Sequence, residues 1–308
     1  MEAAAATLRT TASPAVRAWR WLRRNALRIY AALAVLYLLV PIAVIAVFSF
    51  AETPRDRLDF SLSGGFTLEY WQHAFSNQEL TDALFTSLRL ALLATIASTA
   101  IGTLMALALV RYDFFGRRGA NLLIILPMAT PEIVMGASLL SLFIFYSAPL
   151  GFTTLLIAHI MFSISFVVVV VRSRLIGFDR SLEEAARDLG ATPVQTFRYV
   201  TFPLLAPAIL AAALLAFALS IDDFVISNFN SGTTVTFPLY VFGVALRGIP
   251  VQVNVLATML FVVTTIAIVL VIWQQRRAEH MAAVQPDDVG EPLAGTPAFP
   301  PAPGAAGG

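Results

Sequence analysis

Three carboxylates stand inside or beside long apolar runs: Glu132 in PEIVMG, and Asp222 and Asp223 in SIDDFVIS. A charged carboxylate is costly in hydrocarbon unless it meets a cavity, a partner or a backbone cap. The chemistry these residues offer is the binding of positive charge. Aromatic residues follow the Asp pair at Phe224, Phe229, Phe237, Tyr240 and Phe242, and aromatic faces attract ammonium groups. Glu132, Asp222, Asp223, Phe224 and Tyr240 are therefore the candidates for lining a solute path. Each acid has a plainer reading beside it. Asp222 and Asp223 can be solvated at an interface or cap the next segment, and Glu132 can satisfy backbone groups freed by Pro127 and Pro131. Catalysis has little to build on. The chain has no Cys, and His73, His159 and His280 are scattered without metal-ligand spacing. No nucleophile elbow and no repeated His–carboxylate set is present, so no metal site and no bound cofactor are expected. His159 reads as a packed, inter-helix hydrogen-bonding residue.

The elements that must position these acids are membrane spans. Of the 308 residues, 58% are hydrophobic and 13% charged, against about a quarter charged in an ordinary soluble domain. A crossing helix needs about 20 apolar residues. Six runs qualify: Ile29–Phe50, Leu90–Val110, Asn121 to about Tyr146, Phe152–Val171, Leu204–Ile221 and Val251–Trp273. The expected fold class is an all-α integral membrane protein with six transmembrane helices. In the second run Thr95, Ser98, Thr99, Gly102 and Thr103 form a small-residue face suited to close helix packing.

All twenty basic residues are Arg. Sixteen fall in four segments: before the first run, between the second and third, between the fourth and fifth, and after the sixth. The positive-inside rule then places both termini and the segment at 178–203 in the cytoplasm. The organisation expected is a basic cytoplasmic segment (1–28), an anchor helix (29–50), an extracytoplasmic loop (51–86), a five-helix core (87–273) and a disordered, Pro- and Ala-rich cytoplasmic tail (274–308). The first apolar run exceeds the roughly 7–15 residues of a signal peptide's apolar region, so it reads as an uncleaved anchor. Within the outer loop, FTLEYWQHAF is a candidate interfacial amphipathic helix.

One polar segment interrupts the core, SLEEAARDLGATPVQTFRYVTFP at 181–203. Ser181 and Glu184 have capping-box spacing, so a helix is expected from Leu182. Gly190 fits a left-handed helix stop. Thr192, Pro193 and Gln195 then start a second helix. The segment is thus expected to be helix, glycine turn, helix, with Pro203 at the entrance to the next span.

Glu184, Ala185, Ala186, Gly190, Val200 and Pro203 reproduce the spacing of the EAA loop, and the chain resembles the type I (MetI-like) permeases of bacterial ABC importers over roughly Ser87–Trp273. The family usually has Ile where this chain has Val200. The resemblance implies a coupling helix that docks into a groove on a separate ATP-binding subunit. Glu183, Glu184, Arg187 and Asp188 would pair with partner charges, the Ala pair would let a partner backbone approach, and Arg172 and Arg174 would meet acidic rims. It also implies the partners: a second permease in a heterodimer, two ATP-binding subunits carrying ATP and Mg, and an extracytoplasmic solute-binding protein. Residues 220–243 resemble the second permease of spermidine/putrescine importers (PotC type), with an Asn-rich turn at Asn228 and Asn230 as a departure. Polyamine import across the cytoplasmic membrane is the function so implied, with ferric iron or thiamine as alternative cargo. No G-x-x-x-x-G-K-[ST] loop occurs, so ATP hydrolysis must lie on other chains. Nothing points to nucleic acid. An ion-driven secondary transporter is the rival class, and the structured polar segment speaks against it.

Overall fold

In the computed structural model, residues 14–52, 64–245 and 247–283 are described. The predicted tail beyond 283 and the start of the basic N-terminal segment lie outside them. Helix α1 (Pro14–Phe48) carries the first apolar run, and no residue of its most apolar stretch is buried within the chain. Its surroundings must be lipid or other protein. A single turn, α2 (Glu69–Gln72), is all that forms of the expected interfacial helix. The amphipathic pattern is used differently: Tyr70 is buried in a core cluster with Leu80, Leu84 and Val255, and Trp71 stacks on Phe50 at 5.0 Å.

Helix α3 (Gln78–Arg111) starts well before the apolar run at Leu90, inside the segment expected to be loop. Asn77 causes the early start. Its side chain accepts the Leu80 N–H at 3.1 Å, an N-cap, and its amide donates to the Tyr240 hydroxyl at 3.1 Å. At 1.5 Å per residue, the helix is longer than the hydrocarbon layer requires.

The third span departs most from expectation. Helices α4 (Arg117–Ala129) and α5 (Glu132–Phe145) meet at an angle of 114°. Pro131 lacks an N–H and pushes Thr130 to extended φ/ψ, so the helix must stop there. Thr130 returns both its N–H and its hydroxyl to the Leu126 carbonyl, at 2.9 and 2.6 Å. Among the described residues, five helices are long and apolar enough to cross a membrane, or six spans if this bent pair counts as one.

Helix α6 (Phe152–Ile176) follows, then the short α7 (Ser181–Asp188) and α8 (Pro193–Thr196), and a π-helical turn (Phe197–Thr201) that runs without a break into α9 (Phe202–Ile221). Pro203 cannot donate back to Tyr199, and the ladder around it widens to a Phe202 N–H bond on the Phe197 carbonyl. The chain ends its described part with α10 (Val225–Asn230), α11 (Phe237–Ala245) and α12 (Val251–Ala283). The last span matches the expected Val251–Trp273, and the helix continues into what was expected to be disordered tail. No strand forms among the described residues; Ala51 and Phe66 share one isolated bridge.

The core lies where α3, α6 and α9 pack on one another. Small residues make this possible, as the second apolar run implies. Ser98, Gly102 and Ala106 are buried, and a Cβ at Gly102 would lie 2.7 Å from Val167 Cγ1 on α6. Gly102→Ala is therefore expected to destabilise the core by about 1–3 kcal/mol, read as a lower unfolding temperature in detergent, with Val167→Ala restoring part of the loss.

Candidate functional site

Two regions gather the candidate residues. The first is the polar segment. Gly190 has φ +87°, its N–H donates to the Arg187 carbonyl at 2.8 Å, and the Ala191 N–H donates to the Ala186 carbonyl at 3.0 Å. These are the paired bonds of a Schellman stop. Thr192 and Gln195 cap the second helix reciprocally: the Gln195 N–H reaches Thr192 Oγ1 at 3.4 Å, and the Thr192 N–H reaches Gln195 Oε1 at 2.8 Å. The expected box at Ser181 and Glu184 does not form. The helix begins one residue earlier, and Asp179 takes the Ser181 N–H at 3.0 Å. That bond and the Ser181 hydroxyl hold the Asp179 carboxyl below the usual carboxylate range. Asp179 stands two residues before Ser181, the Asx-turn spacing, which is the sequence signal for this start.

Glu184, Ala185, Arg187, Asp188, Gly190 and Pro203 are exposed, and Ala186 is half-buried. With Leu182, Leu189 and Val194 also exposed, the segment presents a mixed apolar and charged surface. Glu183 differs from its neighbours. It is 7% exposed and accepts from Arg111 and from the Thr201 hydroxyl within the same chain. From the sequence it is grouped with the partner-facing charges, because Glu183–Glu184 and Arg187–Asp188 flank Ala185–Ala186 and helical phase alone does not say which one turns inward. Arg172 donates to Asn121 Oδ1 at 2.7 Å.

The second region lies at the end of α9. Asp222 is the C-cap of that helix and is exposed, while Asp223 is 8% exposed. The two neighbours do different work. Asp223 accepts the Ile226 N–H at 3.2 Å and the Ser227 N–H at 2.8 Å, so it caps α10. Its Oδ2 also lies 3.5 Å from His159 Nε2. His159, 1% exposed, joins Ser220 at 2.8 Å and Ser227 at 3.1 Å, tying α6, α9 and α10 together as an inter-helix residue. The expected Asn-rich turn is part of α10. Asn230 is buried and donates to the Gly136 and Ile226 carbonyls at 3.3 and 2.9 Å.

Asp222 faces a cavity of about 450 Å³ whose lining includes Phe224, Phe237, Val241, Phe242 and Leu260. Phe224 and Phe242 lie 4.6 Å apart between ring centroids. Glu132, exposed as the first residue of α5, stands near enough, with Asp223, for both charges to bear on Asp222. No hydrogen bond among the described residues engages the Glu132 side chain, so it does not repair the break at Pro131. Tyr240 is not part of the cavity. It is buried in the outer core, with its hydroxyl accepting from Asn77. The cavity is thus mainly apolar and partly aromatic, with the Asp222 carboxylate in its lining, and suits a cation with an apolar body. No group of His, Asp and Glu among the described residues has the arrangement of a metal site.

The sequence profile of the family described as "Binding-protein-dependent transport system inner membrane component" matches residues 98–280. The chain belongs to that family. The spermidine/putrescine transport system permease protein PotC of Haemophilus influenzae is 38% identical to this permease over 245 residues, covering 79% of this chain and 94% of the relative. The putrescine transport system permease protein PotI of Escherichia coli is 35% identical over 232 residues, covering 73% and 81%. Among solved structures, a bacterial ABC transporter involved in the import of alginate matches with a TM-score of 0.58 at 20% identity, over 85% of this chain and 98% of that one. The inward-facing MetNI methionine ABC transporter matches with a TM-score of 0.51 at 16% identity, over 65% and 94%. The permease therefore has the all-α, MetI-like fold of ABC importers, as the EAA-loop spacing implies.

Proposed function

We propose that this permease carries a polyamine, spermidine or putrescine, across the cytoplasmic membrane. The observation that carries the cargo assignment is the apolar, aromatic cavity with the Asp222 carboxylate in its lining, Phe224 and Phe242 beside it and Glu132 nearby. A linear polycation offers ammonium groups to carboxylates and methylene stems to aromatic faces. The names of the PotC and PotI relatives support the same class. Glu132, Asp222 and Phe224 are the proposed path residues. Asp223 has the role of holding α10 in place behind them.

The energy comes from other chains in this reading. The exposed face of α7, with Glu184, Ala185, Arg187 and Asp188 and the turn at Gly190, docks into a separate ATP-binding subunit that carries ATP and Mg. The assembly proposed is a heterodimer of permeases, two such ATPases and an extracytoplasmic solute-binding protein, and the bias of Arg places both termini and α7 on the cytoplasmic side. ATP-driven closing of the ATPases then moves α7 and switches the spans between inward- and outward-facing states.

The test is ATPase activity of the reconstituted complex with binding protein loaded with spermidine or putrescine. Stimulation by a polyamine is expected. Activity that stays flat with polyamines and rises with another loaded binding protein would replace the cargo, and failure to associate with any ATPase would overturn the docking role of α7.

A further inference from the structure

Glu183 is a charged residue turned away from the surface on which its neighbours lie. The side chains beside it on α7, Leu182 and Glu184, are exposed, while Glu183 is buried. Its Oε1 accepts from Arg111 Nη2 and from Thr201 Oγ1. These two donors mark structural ends. Arg111 is the last residue of α3, and Thr201, itself fully buried, closes the π-helical turn that leads into α9. A second bond runs alongside, from Arg180 Nη2 to the Val110 carbonyl at 3.2 Å. One carboxylate oxygen therefore joins the short cytoplasmic helix to the ends of two spans that pack together in the core.

A buried carboxylate persists only when paired and hydrogen-bonded, and removing one member strands the charge of the other. A solvated connector has no need for such a node. We infer that Glu183 is a positioning residue that clamps α7 to the cytoplasmic ends of α3 and α9, so that displacement of α7 moves both spans together. The π-helical turn sits at the joint: its widened ladder lies between α8 and α9, and the clamp closes on its last residue. Resting on the proposed ATPase-docking role, this inference separates two functions within one helix. Glu184, Arg187 and Asp188 face outward, and Glu183 passes their motion inward.

The chain has no Cys, which permits a clean pair of measurements. Glu183→Gln keeps the shape and an acceptor but removes the charge. The assembled complex carrying Glu183→Gln is expected to co-purify and to keep at least half of its ATP hydrolysis, while solute taken up per ATP falls about tenfold or more. In the full permease, a spin label at Leu189→Cys is expected to become more mobile when Glu183→Gln is added. Uptake and hydrolysis falling in parallel, or uptake per ATP unchanged, would overturn the inference. Should Glu183→Gln fail to accumulate, Thr201→Val decides: a smaller fall in uptake per ATP, roughly threefold, supports the clamp and an unchanged ratio overturns it. If no ATPase associates with the unaltered permease, the docking reading fails and the label alone judges Glu183, with unchanged mobility overturning the clamp.

Discussion

Gly190→Pro is expected to abolish ATP-driven uptake while the permease still inserts in the membrane. At φ +87° Gly190 occupies the left-handed region, whereas Pro fixes φ near −65°. Pro also removes the N–H that donates to the Arg187 carbonyl. The turn between α7 and α8 then cannot form, and both helices lose their relative setting. A backbone conflict of this kind costs about 3 kcal/mol or more, roughly a hundredfold in the population of the seated conformation. Gly190→Ala keeps the N–H and meets only the left-handed penalty, about 1–2 kcal/mol, so a partial loss is expected. Transport assays on proteoliposomes with matched permease content check the pair. Normal uptake by Gly190→Pro would mean that α7 and α8 have no part in coupling.

Asp222 and Asp223 are expected to fail in different ways. Asp222→Asn removes charge from the cavity mouth, and Asn is itself accepted at the end of a helix, so the C-cap position of α9 is kept. A charge-assisted hydrogen bond contributes about 1.5–3 kcal/mol, so polyamine uptake should fall roughly 10- to 100-fold with unfolding temperature unchanged. Asp223→Ala leaves the Ile226 and Ser227 N–H groups without their side-chain acceptor and takes the nearby carboxylate away from His159. Loss of a cap costs about 0.5–2 kcal/mol, and it should appear first as lowered thermal stability and yield. Uptake kinetics together with thermal unfolding of both variants separate the roles. A stable Asp222→Asn permease with full uptake would remove Asp222 from the path.

The sequence was most legible where a local rule acts alone. Apolar runs located the spans, but not all of their ends or their continuity: Asn77 starts α3 before its apolar run, the third run breaks into α4 and α5, and the fifth span is preceded without interruption by α8 and the π-helical turn. Gly190 and the Thr192–Gln195 pair announced their conformations because backbone geometry and capping are decided within four residues. The division of labour between Asp222 and Asp223 was not legible, since adjacent residues point differently only once α10 packs against α6. Likewise, the inward turn of Glu183 depends on Arg111, 72 positions away, and no local pattern encodes that meeting. The break between α4 and α5 falls at Pro131, whereas Pro127 is accommodated inside α4; the apolarity on both sides masked its size.

The most direct measurement is uptake of labelled spermidine into proteoliposomes holding this permease, its partner permease and the ATPases, with loaded binding protein outside and ATP inside. Accumulation that requires ATP hydrolysis, and that collapses in Gly190→Pro and Asp222→Asn, is the expected result. Spermidine accumulation driven by a proton or sodium gradient without ATP, at the same rate in all three proteins, would contradict it.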